Sequence, residues 1–261
     1  MAKYQLEVGA RTVEDALSAW RGGADRVELY VSPTEGALTP SMGLVQAAVA
    51  AKKAANSNLG LFVMLRPRSG DFLYSDADFD TLLRDTENLY AAGADGFMSG
   101  IVTADGMLDI KRMKEVMKRC PGKPFTLHRG FESTRDQFRT LEECVDLGID
   151  YILTGGLIPG GTCTLDTARL AALIEKAAGR IKIVVALGSG FQVEMLEPII
   201  KQSGAVEYHI VNGYRKRLSQ MKFVPGGEAL DDDHLKKKLG TVDYLEESAV
   251  RELRDIFNKF E

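Results

Sequence analysis

Two acids, Glu7 and Glu28, sit in matching apolar contexts, QLEVG and RVELY. A carboxylate inside an apolar strand either points into a shared polar site or is paired, because burying it alone costs several kcal/mol. The segment MLRPRSGDFLYS (64–75) carries Arg66 and Arg68 on either side of a stiffening proline, and Gly70 allows a turn that returns Asp71, Phe72 and Tyr74 toward them. Two guanidinium forks suit a bidentate anion, either a substrate carboxylate or phosphate or the chain's own Glu7 and Glu28. In FTLHRGFES, His128 and Arg129 end a β-rich run and Glu132 follows. Of the three histidines, His128 and His209 both fall at such ends, whereas His234 sits in a charge run and reads as surface. Histidine moves protons near neutral pH and also ligates metals, although a lone histidine on a strand is more often a satisfied core group. Glycine-rich turns add backbone amides for an anion: LTGGLIPGGT (153–162), which begins with Leu153 and Thr154, and ALGSGFQ (186–192), with Gly188, Ser189 and Gly190 just before a helix. Neither turn is a P-loop.

These residues share one site only if the fold brings strand ends together. Short β-rich runs alternate with helical patterns along the chain. Strands are expected at 4–8, 26–31, 60–65, 96–99, 124–128, 151–154, 181–186 and 207–211, and helices near 13–22, 42–56, 77–92, 109–119, 136–147, 165–178, 192–203 and 244–260. Eight of each in alternation predict an α/β fold, a closed (β/α)8 TIM barrel in one domain, with its active face at the strand C-terminal ends. Closure would set His209 on the eighth strand beside Glu7 on the first. Three joints, RGGADRVEL, AAGADGFM and DLGIDYIL, repeat a glycine followed by an aspartate before a strand, and the aspartate is expected to cap the turn. The stretch 212–241 breaks the alternation and reads as an extended polar loop, its DDDHLKKK a solvated turn.

Composition narrows the function. With 45% apolar and 27% charged residues the chain can bury a sizeable core, and a net charge of −4 provides no basic field for nucleic acid or an anionic membrane. Three dispersed cysteines, Cys120, Cys144 and Cys163, make neither a disulfide framework nor a CxxC zinc site, which fits a reducing cytoplasm. No apolar run is long enough to span a membrane, and the first residues lack the pattern of a signal peptide. A small partner is therefore expected, a metal ion or a small anion.

Taken together, GGADRVEL (22–29), GALTPSMGL (36–44), MLRPRSGDFLYS (64–75), TLHRGFES (126–133), YILTGG (151–156) and EYH (207–209) resemble, in order and spacing, the CutC family of copper-homeostasis proteins. The likeness implies a (β/α)8 barrel and a cytoplasmic copper-homeostasis role with copper as the bound ion, and it thins beyond Val211. Relatives commonly carry cysteines after the first- and second-strand acids as suggested Cu(I) ligands, and this chain has Gly9 and Tyr30 there. Two readings of function follow. One is metal handling with His128, His209, Glu7 and Glu28 as ligands. The other is an enzyme acting on a small anionic, phosphorylated or sugar-like substrate, in which Arg66 and Arg68 clamp the anion, Glu28 or His128 moves a proton, and Asp71, Arg129, Thr154 and the 188–190 turn complete the pocket. A third, blander reading makes the mouth an interaction surface, with a homo-oligomer formed through 212–241.

Overall fold

The computed structural model describes residues 3–157, 165–188, 191–211, 213–220 and 240–261. Eight parallel strands form a closed barrel in sequence order: β1 (Gln5–Ala10), β2 (Arg26–Leu29), β3 (Gly60–Met64), β4 (Gly96–Ser99), β5 (Phe125–Leu127), β6 (Tyr151–Thr154), β7 (Lys182–Leu187) and β8 (Glu207–Ile210). The β1–β8 seam sets Glu7 opposite His209 and so excludes an open twisted sheet. Around the strands lie α1 (Val13–Arg21), α2 (Met42–Ala54), α3 (Asp76–Ala91), α4 (Ile110–Arg119), α5 (Gln137–Leu147), α6 (Thr167–Ala177) and α7 (Leu196–Ser203), with α8 (Glu247–Asn258) packed on α1. Each helix turns an apolar stripe inward, such as Val250, Leu253 and Phe257 of α8, against strand residues of the opposite parity.

Caps set the helix starts. Ser75 and Asp78 form a full capping box at α3, and Ser41 accepts the Leu44 amide at α2. Thr12 accepts the Asp15 amide, but the Asp15 carboxylate completes no box. It takes the amides of Arg11 and Leu245 and so ties β1 to the chain's last segment.

The three repeated joints do more than turn the chain. Gly23, Gly93 and Gly148 have φ of +96°, +95° and +74°, the left-handed region that favours glycine. The aspartates that follow do not cap the turn as the sequence suggests. Asp25, Asp95 and Asp150 each donate a backbone N–H to the preceding strand, at Leu6, Leu61 and Phe125, and accept that residue's amide on Oδ2 at 2.8 Å. Three pairs of neighbouring strands, β1 with β2, β3 with β4 and β5 with β6, are thus clipped at the end of the barrel remote from the strand C-termini.

Beyond β8 the expected loop over 212–241 instead contains a strand, β9 (Tyr214–Leu218), paired antiparallel with β10 (Thr241–Leu245), so α8 starts at Glu247 and not at 244. Three consecutive basic residues, Arg215, Lys216 and Arg217, fill the middle of β9, with Lys216 opposite Asp243, and no apolar period advertises the ribbon in sequence. His234 and the DDDHLKKK run lie outside the described residues.

Candidate active site at the barrel mouth

Side chains alternate along a strand, so Arg26 and Glu28 share the inner face of β2, and Glu207 and His209 share that of β8. Together with Glu7 they form a ladder through the barrel. Lys182 reaches Glu207 at 2.9 Å, Arg26 bridges Glu207 at 3.4 Å and Glu7 at closer range, Glu7 Oε1 meets His209 Nδ1 at 2.8 Å, and His209 Nε2 meets Glu28 Oε2 at 3.2 Å. The Arg26 guanidinium also lies over the Tyr151 and Phe62 rings. The ladder ends at Glu28 Oε1, a buried oxygen with no hydrogen-bond partner among the described residues.

Position along the ladder sets proton affinity. Burial opposes ionisation of Glu7, but Arg26 and His209 outweigh it and hold its carboxyl at about 2. Burial, with Glu7 adding and His209 opposing, pushes Glu28 up to about 7. His209 is raised because Glu28 and Glu7 overcome its own desolvation. Glu7 is therefore a fixed anion, while Glu28 is poised to exchange a proton near neutrality.

Glu28 helps line a cavity of about 620 Å³ at the barrel mouth, together with Tyr30, Met64, Arg66, Phe72, His128, Arg129, Glu132, Gly188 and His209. His128 Nδ1 accepts the Gly130 amide at 2.9 Å, so the neutral ring carries its proton on Nε2, which has no partner among the described residues. Burial, reinforced by the Arg66 charge, drives this imidazole down to about 3. His128 is thus a neutral imidazole with its N–H on Nε2, among the residues that line the cavity. A side chain at Gly100 would meet the ring at 2.6 Å, so its absence makes room for the imidazole.

The arginine pair expected from sequence is split. Arg66 is buried, grips the carbonyls of Gly36 and Gly70, lies over Phe72, and has no carboxylate partner among the described residues. Arg68 turns outward, where it pairs with Asp71 at 2.9 Å and Asp78 at 3.0 Å. Arg68 and Asp71 therefore stand outside the cavity, because β3 ends at Met64 and Pro67 redirects the chain. Arg129 pairs with Glu132 at 2.6 Å, and Glu132 in turn accepts Thr154 Oγ1 at 3.0 Å and the Gly155 amide at 2.8 Å. Thr154 thus positions the mouth loops through Glu132. Ser189 and Gly190 lie outside the described residues. Sequence reasoning missed Arg26, Glu207 and Lys182, although the spacing-two pairs Arg26/Glu28 and Glu207/His209 carried the signal.

The copper expectation meets a poor donor set. Glu7, Glu28 and His209 offer ligand atoms within 4.8 Å of one another, yet both His209 nitrogens, both Glu7 oxygens and one Glu28 oxygen already hold protein partners. The sulfur in the described cavity wall is the thioether of Met64, whereas Cys120 ends α4 and Cys144 lies within α5, both buried free thiols. Cys163 lies outside the described residues. At Gly9 any Cβ would press on the Tyr30 ring at 2.9 Å, so Tyr30 fills the space a thiol there would use. Soft Cu(I) does not fit this set.

Comparison with known proteins extends the likeness over most of the chain. The chain is 40% identical over 209 residues to a CutC family protein of Bacteroides thetaiotaomicron, covering 80% of this chain and 81% of that one. Over 220 residues it is 38% identical to the human protein named copper homeostasis protein cutC homolog, covering 84% and 77%. A solved structure described as copper homeostasis protein CutC from Streptococcus agalactiae superposes with a TM-score of 0.71 at 26% identity, covering 79% of this chain and 97% of that one. Residues 4–214, from the start of the barrel through β8 and into β9, match the model of the CutC family, and with that match and these relatives the chain belongs to the CutC family.

Proposed function

We propose that the chain serves in copper homeostasis, the role carried in its relatives' names, in a cytoplasmic setting. Its molecular part there is acid–base chemistry on a small anionic, phosphorylated or sugar-like molecule held at the barrel mouth. The observation that carries this reading is the Glu28 oxygen, buried at the end of a charge ladder without a partner among the described residues, on a residue that lines a cavity together with Arg66, which has no carboxylate partner among the described residues. A buried guanidinium bonded only to carbonyls leaves a positive field for a ligand's anion. Copper binding at the mouth is the second reading, favoured by the closeness of the Glu7, Glu28 and His209 ligand atoms.

Calorimetric titration separates the two. Inorganic phosphate should bind the wild-type protein, with affinity about tenfold weaker in Arg66→Lys, which keeps the charge and loses the fork. Cu(I), presented against a competing chelator, should show no stoichiometric uptake. Stoichiometric Cu(I) binding that disappears in His209→Ala, with no phosphate binding, would overturn the anion reading in favour of the metal.

A further inference from the structure

Two buried polar atoms, of residues that line one cavity, have no partner among the described residues and opposite character: Glu28 Oε1 is a proton acceptor, and His128 Nε2–H is a donor held neutral. Each is fixed by its own scaffold. His209, itself braced by Glu7, orients the Glu28 carboxylate through Oε2. The Gly130 amide and the Phe72 ring, 4.7 Å away, fix the His128 imidazole. Arg66, also in the wall, supplies a positive charge that no carboxylate compensates among the described residues. A base, a neutral hydrogen-bond donor and a cation around one space match the three polar features of an anion-bearing carbonyl compound with an acidic α C–H.

We propose that Glu28 and His128 act as a base and electrophile pair that enolises such a compound, its carboxylate or phosphate held by Arg66. This rests on the anion-binding reading above and deepens it. In the forward step Glu28 Oε1 takes the α proton. The C–H pair becomes the new C=C bond, and the carbonyl π pair moves onto oxygen, where the His128 N–H stabilises it. Glu28 then returns the proton to the same carbon or, in an α-hydroxy carbonyl compound, to the former carbonyl carbon, in which case the α-hydroxyl proton passes to the enolate oxygen as the new C=O bond forms. Atoms and electrons balance with no oxidant, reductant or co-reactant, so the net outcome is epimerisation or isomerisation. His128 suits this role because a neutral imidazole can share its proton with a developing enolate without leaving a buried cation in the product state.

The test follows loss of the α C–H signal by proton NMR in D2O, with pyruvate as the carboxylate probe and dihydroxyacetone phosphate as the phosphate probe. At least one should exchange about 100-fold faster than in buffer alone, and the responsive probe identifies the anion the mouth prefers. Glu28→Gln should abolish exchange while that probe still binds by calorimetry, and His128→Gln should slow exchange about 100-fold with little change in KM. The exchange rate should rise with pH through about 7 as Glu28, faced by His209, Glu7 and Tyr30, loses its proton. Arg66-dependent binding without exchange of either probe overturns this inference and leaves the anion-binding reading standing. Exchange unchanged in Glu28→Gln overturns it as well, and absence of binding removes both.

Discussion

Arg26 holds two buried carboxylates, Glu7 and Glu207, and so makes the ladder beneath Glu28 tenable. Removing one partner of a buried ion pair leaves an uncompensated charge at a cost of about 3–5 kcal/mol, so Arg26→Met should lower urea stability by about that amount. Glu28→Gln removes the carboxylate that faces His209 Nε2 but keeps an amide oxygen there to accept its hydrogen bond, and should leave stability within about 1 kcal/mol of wild type, measured in the same way. The sequence made Glu7, Glu28 and His209 legible because a polar residue inside an apolar strand demands a partner. It left the partner open between a bound anion and Arg66 with Arg68, but Pro67 sends those two arginines to opposite sides of the chain, and Arg26, inside the expected strand 26–31, is the counter-ion that sequence reading passed over.

The joints explain why alternation alone was enough to predict the elements. Asp25, Asp95 and Asp150 recur because three strand pairs use the same clip, in which one carboxylate oxygen takes an amide at the start of the previous strand. Asp150→Ala would strip the Phe125 amide of that partner at a cost of about 1–3 kcal/mol. Because the clip lies at the barrel end remote from the cavity, phosphate affinity at the mouth should stay unchanged. Thermal unfolding and calorimetry on the one variant check both halves of that expectation. Gly22 is a different element-level constraint. A Cβ there would meet Val250 Cβ of α8 at 2.5 Å, so Gly22→Ala should force α1 and α8 apart and cost about 1–3 kcal/mol in a denaturation midpoint. The ribbon of β9 and β10 escaped sequence reading because contacts from distant parts of the chain, Arg11 with Asp243 and the Tyr214 hydroxyl with the Gly9 carbonyl, tie it to the barrel in place of an apolar stripe.

For the molecule as a whole, the same buried groups that shape the mouth set the response to acid. His128 is held at about 3 in the fold and reverts toward its ordinary 6.5 when the chain unfolds, so between these values the unfolded chain binds a proton that the native one refuses. Its contribution is present above pH 6.5 and is lost as pH falls toward 3. Glu7, at about 2 against an ordinary 4.5, adds a second loss below pH 4.5. Glu28 has the opposite sign, since its raised value makes the native chain hold a proton more tightly between 4.5 and 7, and its contribution fades as pH climbs through 7. His128 and Glu28 therefore nearly cancel between 4.5 and 6.5, and below 4.5 His128 and Glu7 act together. Urea stability should be level across the first window and fall steeply in the second. Since many surface carboxylates also titrate there, the informative quantity is the difference between proteins. His128→Gln should shallow the acid limb by about one proton, or about 1.4 kcal/mol per pH unit, relative to wild type. An acid limb of equal slope in both proteins would mean that His128 takes up its proton inside the fold, which is incompatible with a neutral donor in the cavity wall.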